Sequence, residues 1–324
     1  MNLTEQEIYN SYRILVFPDI HGRNFWRRPL DICLKDYFEL TSTTKNYLRN
    51  INHIIFLGDY CDPYFGEYDP NAIRIRNNEY HQGDYLQADE YMLANLADII
   101  QYKDNHKSKI TLLLGNHDMH YINKTFYRMC GGSRYNIKYS EKIKTLINED
   151  IDLFDIAWSI DKLDKTFLFT HAGVNLGWFL NHTEHDNIKR NEYNLVFTKE
   201  DVEKGPSTIA EELNKIHGKN FGSLCEVAWV RGGSDTYGSP LWNDYTEMLD
   251  TKESDFVPFK GKLFQVFGHT QLKDNPICAS NYICCDCRRP FILNIYNGMQ
   301  YNYIYLTDIY ETIINTWKYE KTEN

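Results

Sequence analysis

The sequence predicts an α/β fold built on buried strands that alternate with helices. Five short runs are apolar or β-branched almost without a break, at residues 13–18, 53–57, 110–114, 166–170 and 263–267. Runs of this kind are typical of strands that are covered on both faces of their sheet. Segments with helical spacing of apolar residues lie between them. Such alternation of strands and helices favours an α/β core.

The helical segments are predicted at residues 31–40, 86–102 and 140–148, and the second has the clearest spacing. Ser140 is expected to be the N-cap of the third helix, because a serine hydroxyl accepts a hydrogen bond from a free backbone amide of the first turn. The carboxy-terminal stretch 282–306 contains three short β-rich runs with turn residues between them, which predicts a meander.

Length and composition narrow the classes of function. A chain of 324 residues can hold one large domain or two ordinary ones with ample core. Its formal net charge of −10 argues against dedicated nucleic-acid binding, which normally uses a basic face. No stretch approaches about 18 apolar residues, so no membrane span is expected. The amino terminus lacks a basic segment followed by an apolar one, so we expect no signal peptide and a cytoplasmic location.

Each of the five runs is followed at once by aspartate, asparagine or histidine, usually beside a small residue. These side chains are Asp19, His21, Asp59, Asp62, Asn116, His117, Asp118, His171 and His269. At the carboxyl ends of strands they would lie where open α/β sheets bind ligands. Turn chemistry explains one such cluster, but five in one chain need a common cause. Neutral imidazole, carboxylate and amide oxygen together suit divalent Mn, Fe or Zn.

The polar clusters also form a series of motifs. In chain order they are Asp-x-His-Gly, Gly-Asp-x-x-Asp, Gly-Asn-His-Asp, His-Ala-Gly and Gly-His-Thr, between residues 19 and 270. This ordered set resembles the signature of the calcineurin-like metallophosphoesterases and looks closest to their phosphoprotein phosphatase branch. The resemblance implies a two-sheet β-sandwich flanked by helices, a four-layer fold classed as α/β or, in some schemes, α+β. It also implies a single domain over residues 1–324, with an insertion at about 177–245 that shapes the substrate site.

The resemblance implies two metal sites. Asp19 and His21 match ligands of the first metal, and Asp59 matches the carboxylate that bridges both metals. The ligands of the second metal are matched by Asn116, His171 and His269. Two divalent ions about 3.5–4 Å apart clamp a phosphate and make a bound hydroxide at neutral pH.

The resemblance further implies an acid and its partner. His117 matches the general acid that protonates the leaving oxygen, and Asp62 matches the carboxylate that fixes its tautomer. The implied activity is hydrolysis of phosphate monoesters, with a phosphoprotein or a small phosphate ester as substrate. Two alternatives stay open. One is a phosphodiesterase or dinucleoside polyphosphate hydrolase with the same metal site, and the other is a non-catalytic binding module on this fold.

Two positions depart from the family pattern. Pro63 stands where the phosphoprotein phosphatases carry an arginine that binds phosphate. Gln271 replaces the last histidine of the Gly-His-x-His that other members of the superfamily carry. We therefore expect the first metal to complete its shell with water, and another arginine to contact the phosphate.

Two arginines are candidates for that contact, beside the amide of Asn116. Arg231 begins residues 231–238, which resemble the Arg-Gly-x-Ser-x-Thr-aromatic-Gly of protein phosphatases, and glycines let a backbone approach an anion. Arg23, just past the first metal motif, is the alternative. An arginine suits this task because its fork meets two phosphate oxygens at once. A solvated arginine in a surface loop would equally explain Arg231.

The protein phosphatases also carry a Leu-Trp-Ser-Asp element before this arginine. Here the similar residues 239–244, which include Trp242, come after Arg231, so Trp229 is a rival for that position.

Other residues of chemical interest are expected to be structural. Cysteines cluster at positions 278, 284, 285 and 287, but their spacing does not match paired Cys-x-x-Cys knuckles. Residues 282–285 are predicted to be a strand, on which Cys284 and Cys285 point to opposite faces, so buried free thiols are favoured over another metal site. His120 lies one helical turn from His117, and we expect it to support the site rather than bind metal.

Overall fold

Two sheets form the centre of the computed structural model. It describes residues 11–34, 48, 50–63, 82–122, 135–184, 195–216, 222–249, 259–273, 275–296 and 300–305. The strands are β1 Tyr12–Phe17, β2 His53–Phe56, β3 Ile110–Leu113, β4 Phe154–Asp155, β5 Ala157–Lys162, β6 Lys165–Thr170, β7 Leu263–Phe267, β8 Ile277–Cys278, β9 Tyr282–Cys284, β10 Phe291–Tyr296 and β11 Gln300–Tyr305. One sheet has the order β11-β10-β1-β2-β3-β4, and the other has the order β5-β6-β7-β9-β8.

The inner strands of each sheet are parallel. In the first sheet β1 pairs in parallel with β2, β2 with β3, and β3 with β4. In the second sheet β6 and β9 both pair in parallel with β7. The carboxyl ends of the strands in each group therefore lie at one edge of their sheet, and all five predicted runs lead to these edges.

Alternation along the strands divides the core into layers. Ile14 and Val16 of β1 pack with Phe167 and Phe264 of the other sheet, which forms an apolar layer between the two sheets. Leu15 and Phe17 of the same strand belong to a second cluster, which they share with residues of the flanking helices. Successive strand side chains point to opposite faces, so one strand supplies both layers. This two-sheet arrangement with flanking helices is the fold that the motifs predicted.

The helices largely follow the predicted segments. They are α1 Arg27–Leu34, α2 Gln82–Asn105, α3 Asn116–Ile122, α4 Ser140–Glu149, α5 Leu176–Asn181, α6 Lys199–Lys204, α7 Thr208–Lys215 and α8 Tyr245–Leu249. The predicted helix 31–40 begins earlier, and residues 35–40 lie outside the described part. The N-cap prediction is wrong, because Ser140 is already helical and its hydroxyl donates to the carbonyl of Ile137 at 2.9 Å. No helix in the described ranges combines the length and the apolar character that crossing a bilayer requires.

The predicted carboxy-terminal meander is also wrong. β9 joins the second sheet beside β7, whereas β10 and β11 form an antiparallel pair at the edge of the first sheet. The chain passes from one sheet to the other between Cys285 and Pro290. Short β-rich runs do not indicate which sheet they join, because both sheets offer the same kind of apolar face.

Helix α7, which lies within the predicted insertion, forms hydrogen bonds with the first strand of the second sheet. Asn214 of α7 accepts hydrogen bonds from the backbone N–H groups of Ile156 and Ala157, at 2.9 and 3.0 Å. Its amide also donates to the carbonyl of Ala157 at 2.8 Å. One side chain therefore holds the start of β5 and fixes where the chain leaves the first sheet.

We predict that Asn214→Ala lowers the free energy of unfolding by about 1–3 kcal/mol, because two partly buried donors lose their acceptor. Asn214→Asp is the comparison, since it keeps acceptor oxygens while it loses the donor and gains a negative charge. Urea unfolding of both variants measures the difference. An alanine variant within about 0.5 kcal/mol of the parent would contradict this role.

Candidate metal centre

The loops at the carboxyl ends of β1 and β2 are tied together by their backbones. The N–H of Gly22 donates to the carbonyl of Tyr60 at 2.9 Å, and the N–H of Leu57 donates to that of Phe17 at 2.9 Å. Across the other sheet, the N–H of Gly268 donates to the carbonyl of His171 at 2.8 Å. These bonds bring the predicted polar residues of separate motifs to adjoining positions.

The backbone at these loops is strained. Six non-glycine residues in the described ranges have positive φ, and four of them are predicted site residues: His21 at 44°, Asp59 at 51°, Asp62 at 57° and His269 at 62°. Side chains other than glycine rarely adopt this conformation. It typically costs about 1–3 kcal/mol per residue and clusters at functional sites. The concentration of strain here is independent support for the predicted site.

Asp59 lies between two groups of candidate ligands. Its Oδ2 is 3.5 Å from His21 Nε2 and 3.4 Å from His171 Nε2. The N–H of His117 donates to its Oδ1 at 2.9 Å. Ligand atoms of His21, Asp59 and His117 lie within 4.8 Å of one another, as do those of Asp59, His171 and His269. Asp59 belongs to both groups, which is the arrangement that a bridging carboxylate requires.

The histidines present the correct nitrogen towards Asp59. His21 Nδ1 lies 2.9 Å from the carbonyl of Cys61, and His171 Nδ1 lies 2.8 Å from the carbonyl of Leu57. Donation from Nδ1–H to a carbonyl leaves the lone pair of Nε2 free to bind a metal.

Two further ligand atoms meet His171 Nε2, namely Asn116 Oδ1 at 2.9 Å and His269 Nδ1 at 3.2 Å. Two imidazole nitrogens, an amide oxygen and a carboxylate oxygen thus converge on one place. A divalent cation is the group that satisfies such a set of lone pairs. The residues therefore fit the metal that the sequence predicted for the second site.

Asp19 approaches the same centre from β1. Both its carboxylate oxygens accept from the N–H of His269, at 3.0 and 3.1 Å. Burial, with a contribution from Asp59, raises its pKa to about 6 although His171 opposes this. The candidate groups within the described ranges do not include Asp19, so its role as a ligand of the first metal stays a prediction.

The charges at the centre are strongly coupled. Burial lowers the pKa of His171, but the carboxylates of Asp59 and Asp19 outweigh it and raise that pKa to about 10. Burial likewise acts to raise the pKa of Asp59, but His171 and His117 hold it well below its usual value. The charges of His171 and the carboxylates therefore stabilise one another, and a metal ion that binds these groups competes with protons.

The predicted acid and its partner are in direct contact. His117 Nδ1 lies 2.6 Å from Asp62 Oδ2, and Asp62 is fully buried whereas His117 is partly exposed. The hydroxyl of Tyr121 donates to the other oxygen of Asp62, and that hydroxyl accepts from the N–H of Asn136 at 3.0 Å. Tyr121 and Asn136 therefore fix the carboxylate that orients His117, and no sequence motif indicated either residue.

Asp118 turns out to be structural. Its carboxylate accepts from the N–H of Gly115 at 2.9 Å and from that of Cys61 at 3.1 Å. Burial and the nearby charge of Asp59 raise its pKa to about 7. It joins the loops after β2 and β3 instead of facing the metal ligands.

The two candidate arginines lie in different surroundings. Arg231 Nη2 donates to Thr270 Oγ1 at 2.6 Å, next to His269, and its Nε lies 2.8 Å from Asp244 Oδ2. Arg23 Nη1 donates to the backbone carbonyl of Asp19 at 3.3 Å. The guanidinium of Arg231 is therefore held by the loop that carries a predicted metal ligand.

The tryptophan of residues 239–244 lies beside the site. The ring of Trp242 is edge-on to His269 with centroids 5.8 Å apart, and it stacks on His120 at 5.9 Å. Trp229 is 75% exposed. The N–H of Ala172 donates to the carbonyl of Pro240 at 2.8 Å. The structure thus favours Trp242 over Trp229 for the family's tryptophan position, although its order in the chain is reversed.

The clustered cysteines form no disulfide in the described ranges, and Cys284, Cys285 and Cys287 are buried as expected, whereas Cys278 is exposed. Cys285 packs between the sheets, whereas Cys284 packs with Met248 and Phe267 on the opposite face. Burial raises the pKa of both thiols well above its usual value. The candidate ligand groups found in the described ranges contain no cysteine.

Asp286 is a buried carboxylate that the sequence analysis did not single out. It is 4% exposed, and its Oδ1 has no hydrogen-bond partner in the described structure. Burial and then the charge of Asp19 raise its pKa well above its usual value, against the effect of Arg23. The signal was present, because Asp286 follows the apolar run 282–285 as the other site residues follow theirs.

The comparisons with known proteins agree with this geometry. A family model described as calcineurin-like phosphoesterase matches residues 12–272, which is most of the chain. The chain belongs to this family. Its members are metallophosphoesterases, so the candidate groups of aspartate and histidine support metal-dependent hydrolysis of phosphoester bonds.

No curated protein matches the sequence significantly. Among solved structures, 23 chains match significantly. One of them has 10% sequence identity and a TM-score of 0.35, with 91% of this chain and 99% of that chain covered. A similarity this low carries no information about substrate.

We predict that Gly268→Ala removes metal from the first site. A Cβ at Gly268 would lie 2.1 Å from Asp19 Oδ1, so the carboxylate must move. Metal content measured after reconstitution with Mn should fall, with little change in fold by circular dichroism. Gly261→Ala is the control, because its Cβ meets nothing within 4 Å although its φ of 69° brings backbone strain. Equal metal content in the two variants would show that Asp19 is not a ligand.

Proposed function

We propose that this protein is a phosphomonoesterase that works with two divalent metal ions, either on a phosphoprotein or on a small phosphate ester. The observation that carries the proposal is the position of Asp59. Its carboxylate is shared by two candidate ligand groups, and the His117–Asp62 pair lies directly beside it. A scaffold that only binds a partner has no need of such a pair, which argues against the binding-module alternative.

The residues would divide between two ions. Asp19, His21 and Asp59 would hold the first, and Asp59 would share the second with Asn116, His171 and His269. Two divalent ions, when bound, supply the positive charge that polarises a phosphate and activates water at neutral pH. The remaining steps fall to side chains of this chain.

His117 is proposed to deliver the proton that the leaving oxygen needs. Its Nδ1–H donates to Asp62, so the proton to be transferred sits on Nε2. The fixed orientation of Asp62, held in turn by Tyr121, keeps the ring in position for this transfer. A proton donor matters most when the leaving group is a poor one, such as an alkoxide.

Arg231 is proposed to bind a phosphate oxygen that the metals leave exposed. A phosphate monoester has three non-bridging oxygens, one more than a diester, and an additional cation beside the ligands favours it. Arg231 donates to Thr270, the residue that follows His269, and its Nε contacts Asp244. These two contacts position the guanidinium group. Asn116 would offer its amide to the same phosphate.

The monoester proposal is tested with two matched substrates. Mn-loaded protein should hydrolyse p-nitrophenyl phosphate with a much higher kcat/KM than bis(p-nitrophenyl) phosphate, and Asp59→Asn serves as the background control. A preference for the bis ester would replace the proposal with a phosphodiesterase. A preference for a dinucleoside polyphosphate over both of these substrates would favour a dinucleoside polyphosphate hydrolase.

We predict that His117→Ala keeps its metal content and loses about 10²–10⁴-fold in rate on an alkyl phosphate. The loss should shrink on p-nitrophenyl phosphate, whose leaving group needs little protonation. His117 also lies within the first candidate ligand group, so metal analysis decides between the two roles. Loss of a metal equivalent, together with equal rate losses on both substrates, would make His117 a ligand and not the acid.

We predict that Arg231→Ala reduces kcat/KM by about 10- to 150-fold, since charge-assisted hydrogen bonds contribute about 1.5–3 kcal/mol. Arg23→Ala is the matched comparison, because Arg23 is the other candidate and donates to the backbone carbonyl of Asp19. Metal content is measured in both. A large loss in Arg23→Ala with none in Arg231→Ala would reverse the assignment.

A further inference from the structure

His120 is a buried histidine whose ring nitrogens have no partner. The residue is 1% exposed, and neither Nδ1 nor Nε2 makes a hydrogen bond in the described structure. Its ring lies between His117, with centroids 5.5 Å apart, and the stacked ring of Trp242. Burying polar nitrogens without partners is costly, so their presence calls for a ligand.

The surroundings of His120 supply a metal-binding set of donors. One ligand atom each from Asp62, His117 and His120 lie within 4.8 Å of one another. Two imidazoles with one carboxylate form a donor set that zinc uses with an open position for water. None of these three residues is needed as a ligand by the two ions of the proposed phosphoesterase centre.

The contact between His117 and Asp62 requires only a small rearrangement, and a ligand atom of His120 lies within 4.8 Å of both groups. Zinc holds nitrogen and carboxylate oxygen at about 2.0–2.2 Å, which places tetrahedral ligands about 3.4 Å apart. His117 Nδ1 and Asp62 Oδ2 are now 2.6 Å apart because they share a proton. Zinc would replace that proton, which leaves to solvent, and the two groups would separate by less than about 1 Å.

We propose that Asp62, His117 and His120 form a third, weaker divalent-cation site that is selective for zinc, and that its occupation inhibits the enzyme. Imidazole-rich sets favour zinc over manganese, which prefers oxygen ligands. Ligation breaks the contact that orients His117 and holds its ring towards His120. The inhibition rests on the proposed role of His117 in hydrolysis, whereas the binding of zinc does not.

The test uses Mn-loaded protein and added zinc chloride. Equilibrium dialysis followed by elemental analysis should find one further zinc per chain while the Mn content stays constant. Hydrolysis of an alkyl phosphate should fall over the same range of zinc concentration. His120→Phe keeps a ring against Trp242 but removes both nitrogens. It should lose the additional zinc, and its half-inhibitory concentration should rise at least about tenfold, each protein being referred to its own activity without zinc.

His182→Phe is the matched control, because His182 also stacks on a tryptophan, Trp178, at 4.4 Å and lies far from the acid pair in the chain. It should bind zinc and be inhibited as the parent is. Equal zinc binding by the parent and His120→Phe would overturn the proposal. So would zinc uptake that only displaces Mn. If the protein hydrolyses no phosphate ester, the proposed function fails, and the dialysis comparison alone still decides the zinc site.

Discussion

The structure depends on one carboxylate, that of Asp59, being reached from both sheets at once. His21 reaches it from the loop after β1, and His171 reaches it from the second sheet. The loops must approach closely for this to happen. A Cβ at Gly58 would lie 2.5 Å from the backbone N of Gly115, so the close packing of these two loops leaves no room for side chains there. Asp59, the residue after Gly58, has a left-handed backbone with φ of 51°.

The centre contains more buried carboxylates than cationic side chains to neutralise them. Asp19, Asp59 and Asp286 are all buried, and His171 is the imidazolium that their field favours. Bound cations would offset this repulsion, because they bring fixed positive charge to the carboxylates. A buried group of carboxylates of this kind is consistent with the metal-dependent chemistry of the family to which the chain belongs.

The sequence predicted the strands and the residues at their ends because both are local patterns. An apolar run followed at once by aspartate, asparagine or histidine, usually beside a small residue, marked a strand in all five cases, and the motif order indicated the two-sheet fold. It did not reveal Tyr121, Asn136 or the stacking of Trp242, because these depend on contacts between distant segments. The same limit explains the wrong meander, since nothing in the run 282–285 says which sheet it joins. Ser140 is not the N-cap, because its hydroxyl donates a hydrogen bond to the carbonyl of Ile137.

Gly268 and Asp19 have a consequence for how this sequence can diverge. Because Gly268 has no side chain, the carboxylate of Asp19 can occupy the space beside it, although the two residues are far apart in the chain. Added volume at Gly268 therefore requires the carboxylate of Asp19 to shift. We expect these two positions to change together rather than singly as the sequence diverges.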